Sequence, residues 1–161
     1  MFIKTHAPQD ALIMQLLPVL QQASQILFQE YQSYTTGSEF NIHQKSDQSP
    51  VTQADLRVNL FLMQALAQVQ PVYPVLSEES DNVARHEWST CWMLDPLDGT
   101  KEFIHKRDEF TINLSLIENS KTIFSVIVVP CEQQMYLGYL DNLPYKYQFN
   151  HGQWWRYQNA K

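Results

Sequence analysis

Residues 94 to 100 read Leu-Asp-Pro-Leu-Asp-Gly-Thr, and no other run constrains the fold of this chain as tightly. The run follows Cys91-Trp92-Met93-Leu94, an apolar stretch that predicts a buried strand. Pro96 has no amide proton to give a sheet ladder, so the strand is expected to end there and turn. Strict alternation would send Asp95 and Asp98 to opposite faces of a strand; a turn lets both aim at one spot. Gly99 permits a tight backbone that a residue with a Cβ would resist. Thr100 is placed to cap a helix beginning at Lys101, whose first N–H groups would face the same spot. Carboxylates attract hard cations and a helix start attracts anions, a combination suited to a metal-bridged phosphate. A lone Asp-x-x-Asp reads as well as an Asp-capped surface turn. Here the proline, glycine and threonine all stand where a site needs them.

The remaining composition narrows the setting. A chain of 161 residues with 44% apolar and 12% aromatic residues can bury the core of one domain. Its net charge is −6 and it has no basic block, which excludes general binding to a nucleic-acid backbone. Cys91 and Cys131 stand alone in apolar segments and read as free buried thiols, not as a disulfide or zinc pair. The opening residues lack the apolar core of a signal peptide. The longest apolar run, Ile123 to Val129, is too short to span a bilayer. A cytoplasmic protein is expected, with a peripheral position at the inner membrane as the alternative.

Helical periodicity marks Asp10 to Tyr34, where Pro18 predicts a kink or break near Leu17. A polar stretch leads to Pro50, and a second helix is expected from Ser49 or Thr52 to about Val69. Its apolar face would carry Leu56, Leu60, Met63, Leu66 and Ala67. Short strands follow: Val72 to Leu76, Trp92 to Leu94, a hairpin of Thr111 to Ile117 with Thr122 to Val129, then Met135 to Leu140, Tyr145 to Phe149 and Trp154 to Tyr157. Two helices before a meander predict an α+β fold, with helices layered on a mixed or antiparallel sheet.

Three loops bring oxygen ligands together in sequence: Ser-Pro-Val-Thr-Gln-Ala-Asp at 49–55, Leu-Ser-Glu-Glu at 76–79, and Asp95 to Thr100. One or two carboxylates and a substrate phosphate suffice for Mg²⁺, and a pair of ions roughly 3.5–4 Å apart can serve an in-line displacement. These motifs, with Trp-Met-Leu-Asp-Pro-Leu-Asp-Gly-Thr-Lys-Glu-Phe at 92–103, closely resemble the inositol monophosphatase-like superfamily of metal-dependent phosphatases. Lys101-Glu102-Phe103 resembles its 3′(2′),5′-bisphosphate nucleotidase (CysQ-type) branch.

The resemblance implies the N-terminal half of the family's αβαβα sandwich and a set of roles. Glu78, Asp95 and the Leu97 carbonyl would hold a first Mg²⁺, and Asp95 and Asp98 a second. Glu79 would serve a third ion through water. Asp55 hydrogen-bonded to Thr100 would activate the attacking water with Glu78. Glu78, Leu97, Asp98, Gly99 and Thr100 would line the phosphate site, and Lys45 is a further candidate for the phosphate. The implied substrate is a phosphorylated nucleotide, adenosine 3′,5′-bisphosphate, cleaved to AMP and phosphate. An inositol- or sugar-phosphate substrate is the alternative.

The resemblance covers only the N-terminal portion of such proteins, so residues 1–161 are expected to be a single phosphatase-like domain without the family's C-terminal half. The Trp-Asp-x-Ala-Ala-Gly motif of that half has no counterpart here. A non-catalytic metal-binding or oligomerising module is therefore a competing expectation. Eight aromatics among Tyr136, Tyr139, Tyr145, Tyr147, Phe149, Trp154, Trp155 and Tyr157 read as a surface for the absent half or for a homo-oligomer, or as a base-stacking platform.

Overall fold

The computed structural model describes residues 1–37, 42–44, 50–80 and 87–158. Strand β1 (Phe2–Thr5) precedes helix α1 (Ala11–Thr35), a small hairpin of β2 (Ile42–Gln44) and β3 (Pro50–Thr52), and helix α2 (Gln53–Leu66). Then come β4 (Val75–Ser77), β5 (Thr90–Asp98), the short helix α3 (Thr100–Ile104), β6 (Thr111–Glu118) and β7 (Lys121–Val129). Strands β8 (Gln134–Tyr139), β9 (Tyr145–Gln148) and β10 (Gln153–Tyr157) complete the chain. Eight strands form one sheet in the order β1-β10-β9-β8-β7-β6-β5-β4, antiparallel throughout except for the parallel β4–β5 pair. The fold is α+β, as expected.

Alternation divides the sheet into two faces. Leu94, Leu114, Val126 and Leu137 stand opposite one another across four strands, all buried beneath the helices. The next row, Asp95, Asn113, Ile127, Tyr136, Lys146 and Trp155, lies on the other face. The core is therefore on one side of the sheet and the carboxylate on the other.

Helix α1 begins at Asp10, whose side chain accepts from the Ile13 amide at 2.9 Å, and buries Ile13, Leu16, Leu20, Ala23, Ser24 and Leu27. It runs through Pro18 without the expected break. Pro18 and Met14 both lie on the exposed face, so the Met14 carbonyl that Pro18 cannot serve is open to water. Among the described residues α1 is the one helix long and apolar enough to cross a membrane. Its apolar row is instead spent on the core shared with α2 and the sheet. Ser24 Oγ is buried there with no hydrogen-bond partner among the described residues. Ser24→Ala is expected to stabilise the fold by about 1–2 kcal/mol, by removing an unsatisfied hydroxyl and raising helix propensity. A thermal midpoint no higher than wild type would show that the hydroxyl is satisfied.

Helix α2 corrects the expected face. Its buried residues are Ala54, Asp55, Val58, Asn59, Leu62 and Leu66, while Leu56 and Leu60 are 45% and 60% exposed. Apolar residues occur all round this helix, and the face that turns inward joins Ala54, Val58, Leu62 and Leu66 to two polar side chains, Asp55 and Asn59. Three of the eight C-terminal aromatics are also corrected. Tyr147, Phe149 and Trp154 are buried in the chain's own core, with Tyr147 4.5 Å from Trp154 and 5.7 Å from Phe149 between ring centroids. Unforeseen β1 pairs with β10, and Phe2 packs on Tyr136 and Tyr157. None of the eight aromatics is left fully exposed.

Candidate active site

Strand β5 does not end at Pro96. It continues to Asp98, pairing Asp95 with Asn113 and Asp98 with Thr111. Pro96 and Leu97 thus oppose the single residue Ile112, which makes the irregularity a bulge. Pro96 is tolerated because a bulge asks no ladder bond of it. The extra residue shifts the alternation by one, so Asp95 and Asp98, three apart, share a face. Asn113 confirms this: it stands opposite Asp95, and its Nδ2 donates to Asp98 Oδ2 at 2.9 Å. Thr111 Oγ1 donates in turn to Asn113 Oδ1 at 3.1 Å.

Gly99, not Thr100, is the N-cap of α3, with φ of 91°. Thr100 is the first helical residue, and its hydroxyl is directed elsewhere. Thr100 Oγ1 lies 3.2 Å from Asp55 Oδ1 and 3.1 Å from the Leu97 carbonyl oxygen, both as acceptors. Helix α3 is seated by Phe103, packed against Tyr31, Tyr34 and Phe110, and by the Tyr34 hydroxyl donating to the Ile104 carbonyl at 2.9 Å.

Asp55 reaches Thr100 because it is held from both sides. The Thr52 amide donates to Asp55 Oδ2 at 2.8 Å, the Thr52 hydroxyl does the same, and the two residues form a capping box at the start of α2. Burial to 1% exposure pushes the Asp55 carboxyl above its ordinary range, opposed by the hydrogen bonds from Thr52 and Thr100.

The parallel pairing of Ser77 with Leu94, and the Glu78 amide donating to the Leu94 carbonyl at 3.1 Å, place Glu78 beside Asp95. Asp95 Oδ1 accepts from the Leu97 amide at 3.1 Å. Burial, then the charges of Glu78 and Asp98, push the Asp95 carboxyl up to about 7. A concavity of about 370 Å³ opens here, lined by Leu76, Glu78, Met93, Asp95, Asn113 and Ser115.

Among the described residues, no three His, Cys, Asp or Glu side chains are already gathered at ligating distance. The available donors are nevertheless all oxygens, and two carboxylates with substrate and water oxygens are enough for a hard divalent cation. The Asp95 carboxyl is raised first by burial and then by the charges of Glu78 and Asp98, and a cation would offset both. The residue set fits such an ion.

Of the expected site residues, the fold brings Asp55 to Thr100 and sets Glu78, Asp95 and Asp98 around the bulge. Lys45 and Ser49 lie outside the described residues. Asn113 and Asn59 were not legible as site residues. Asn59 accepts from Ser77 Oγ at 2.6 Å, and only its place one turn after Asp55 hinted at a shared face.

The chain is thus an α+β protein with an oxygen-lined site at a bulged strand end, braced by a buried carboxylate–threonine pair. Residues 9–149 match the model of the inositol monophosphatase family. The chain belongs to the inositol monophosphatase family. It is 41% identical over 107 residues to the 3′(2′),5′-bisphosphate nucleotidase CysQ of Escherichia coli O157:H7, covering 65% of this chain and 44% of that protein. It is 35% identical over 144 residues to the Haemophilus influenzae protein of the same name, covering 88% and 52%. The crystal structure of CysQ from Bacteroides thetaiotaomicron superposes with a TM-score of 0.69 at 33% identity, over 84% of this chain and 48% of that one. The extragenic suppressor protein SuhB of Bartonella henselae superposes at 0.74 with 21% identity, over 84% and 51%, and shares the fold. The chain spans about half the length of the curated relatives it matches.

Proposed function

We propose that this chain carries the hydrolytic site of a Mg²⁺-dependent 3′(2′),5′-bisphosphate nucleotidase, converting adenosine 3′,5′-bisphosphate to AMP and phosphate in the cytoplasm. One observation carries the reading: Thr100 bridges Asp55 and the Leu97 carbonyl within the same loop that turns Asp95 and Asp98 to one face. The hydroxyl bonded to the proposed proton acceptor, Asp55, and the proposed cation site therefore share one stretch of backbone. The relatives at 35% and 41% identity that are named as this nucleotidase, and the run Lys101-Glu102-Phe103, support the choice of substrate.

Glu78, Asp95 and the Leu97 carbonyl are assigned to a first Mg²⁺, Asp95 and Asp98 to a second, and Glu79 to a third through water. When bound, Mg²⁺ lowers the pKa of its water and neutralises phosphoryl charge. Glu78 and Thr100 orient a water opposite the 3′-ester oxygen, and the backbone at Gly99 and Thr100 receives phosphate oxygens. The water oxygen forms a bond to phosphorus as the bond to the 3′ oxygen breaks. Its proton moves toward Asp55 through the Thr100 hydroxyl, and the departing 3′ oxygen takes a proton from solvent.

Phosphate release from adenosine 3′,5′-bisphosphate, with and without Mg²⁺ and with inositol 1-phosphate alongside, tests this reading. Release from the nucleotide only with Mg²⁺ is expected; release from inositol 1-phosphate alone would reassign the substrate. A folded chain that binds Mg²⁺ and releases phosphate from neither would favour the second reading, a metal-binding or oligomerising module. The coverage of about half of each relative is the observation behind that alternative.

Thr100→Ala is expected to slow turnover by about 10²–10⁴-fold, the range of a lost proton relay, with little change in metal affinity. Thr100→Ser should restore most of the rate. Loss of metal binding in the alanine variant would place Thr100 with the cation and not with the water.

A further inference from the structure

We infer that Asn59 is a positioning residue for Glu78, gripping from inside the loop that presents this carboxylate. The inference rests on the assignment of Glu78 to the metal. Asn59 is 9% exposed on the buried face of α2, one turn beyond Asp55. Its Oδ1 accepts from Ser77 Oγ at 2.6 Å, and its Nδ2 donates to Ser80 Oγ at 3.3 Å. One amide therefore spans the segment Ser77-Glu78-Glu79-Ser80 and holds both of its ends.

Ser77 relays the grip. It is 1% exposed, and its Oγ donates to Asn59 while accepting from the Glu79 amide at 3.2 Å. On the opposite side the Glu78 amide is bonded to the Leu94 carbonyl of β5. The Glu78 backbone is thus pinned between α2 and β5, one residue from the level of Asp95. The same face of α2 carries Asp55, which holds Thr100. A single helix surface therefore sets the distance between the carboxylate loop and the proton acceptor.

An apolar residue at position 59 would remove the acceptor of the Ser77 hydroxyl and the donor to Ser80, and the loop would relax. A purely structural role makes a different forecast: lower stability of the whole sheet, with metal affinity intact wherever the variant is folded. Partners of this kind, one step behind a ligand, typically contribute 10–100-fold to metal affinity.

The test compares wild type, Asn59→Leu, Ser77→Ala and the double variant, each as the whole chain. Amide hydrogen exchange in EDTA is read over residues 77–80 and over the β6–β7 hairpin, and Mn²⁺ binding is followed by electron paramagnetic resonance. Each single variant is expected to speed exchange at 77–80 by about 10-fold or more while the hairpin stays protected. Each should also weaken Mn²⁺ binding about 10–100-fold, with the double variant losing less than the two single effects combined, because both break the Asn59–Ser77 bond. Unchanged exchange at 77–80 overturns the brace. A loosened loop with wild-type Mn²⁺ affinity overturns the positioning role, as does a rise in exchange spread equally over the hairpin in both single variants. If wild type and Asp95→Asn bind Mn²⁺ alike, the metal assignment itself falls and takes the positioning role with it. The exchange data then still report separately whether Asn59 holds the loop.

Discussion

Asp95→Asn is expected to raise the stability of the metal-free chain at pH 8 while abolishing its response to Mg²⁺. The opposite signs follow from one cause. Asp95 is held to about 7, from an ordinary 3.8, by burial and by the charges of Glu78 and Asp98. An asparagine keeps the shape and removes the repulsion, yet it leaves the cation without the carboxylate shared by both assigned sites. Metal affinity should fall by about 100-fold or more, beyond the loss seen on disturbing a ligand's neighbours. Metal-dependent phosphate release should vanish.

The pH dependence has a defined direction. Between about 4 and about 7 the folded metal-free chain keeps a proton on Asp95 that the unfolded chain has lost. Its contribution to stability is full below the unfolded value and disappears as pH rises through the folded one. Buried Asp55 is shifted in the same direction and adds to the trend. Thermal midpoints in EDTA should therefore decline across this window, less steeply in Asp95→Asn, and Mg²⁺ should restore more stability to wild type at pH 8 than at pH 5. A wild-type midpoint in EDTA that climbs from pH 5 to 7, or an Asp95→Asn variant that Mg²⁺ still stabilises, would contradict the charge balance drawn here.

Gly99→Ala is expected to destabilise the fold by about 3 kcal/mol, lowering the thermal midpoint by about 6–12 °C. Two costs combine. The φ of 91° is disfavoured for any residue with a Cβ, and a Cβ built there would lie 2.9 Å from the Glu109 carbonyl oxygen and 3.2 Å from the Phe110 Cα. That backbone cannot retreat easily. Phe110 is 1% exposed, and its ring is packed 4.9 Å from Tyr31 and 5.1 Å from Phe103. Because Gly99 is the residue between Asp98 and Thr100, relief of the clash would also draw Thr100 away from Asp55. A midpoint within about 2 °C of wild type would mean that the loop can re-form around a side chain.

Much of this was legible in the chain. The spacing of Leu12, Leu16, Leu20 and Leu27 announced α1, and alternating runs between turn residues located β6 through β10 to within a residue or two. The pair Asp55–Thr100 followed from motif resemblance, and the fold sets the two side chains 3.2 Å apart. Other features escaped for physical reasons. Strands β1, β2 and β3 are three or four residues long, too short for a periodic signal, and β1 exists only because β10 offers it a partner 150 residues away. Leu56 and Leu60 looked like the buried face of α2 because periodicity counts apolar residues without knowing what they meet.

By itself the sequence determined the chemical inventory: two carboxylates around one proline and one glycine, a threonine beside them, and a second carboxylate loop in fixed order. That much is local and survives any arrangement of the rest. The tertiary structure decided how the inventory converges. A proline that forbids a ladder bond permits either a turn or a bulge, and only the pairing of β5 with β6 selects the bulge that puts Asp95 and Asp98 on one face. Likewise Asn59 is an ordinary helix residue until β4 lies against α2 and presents Ser77 to it. Hydrogen bonds between residues 18 and 45 positions apart depend on packing that no local run encodes.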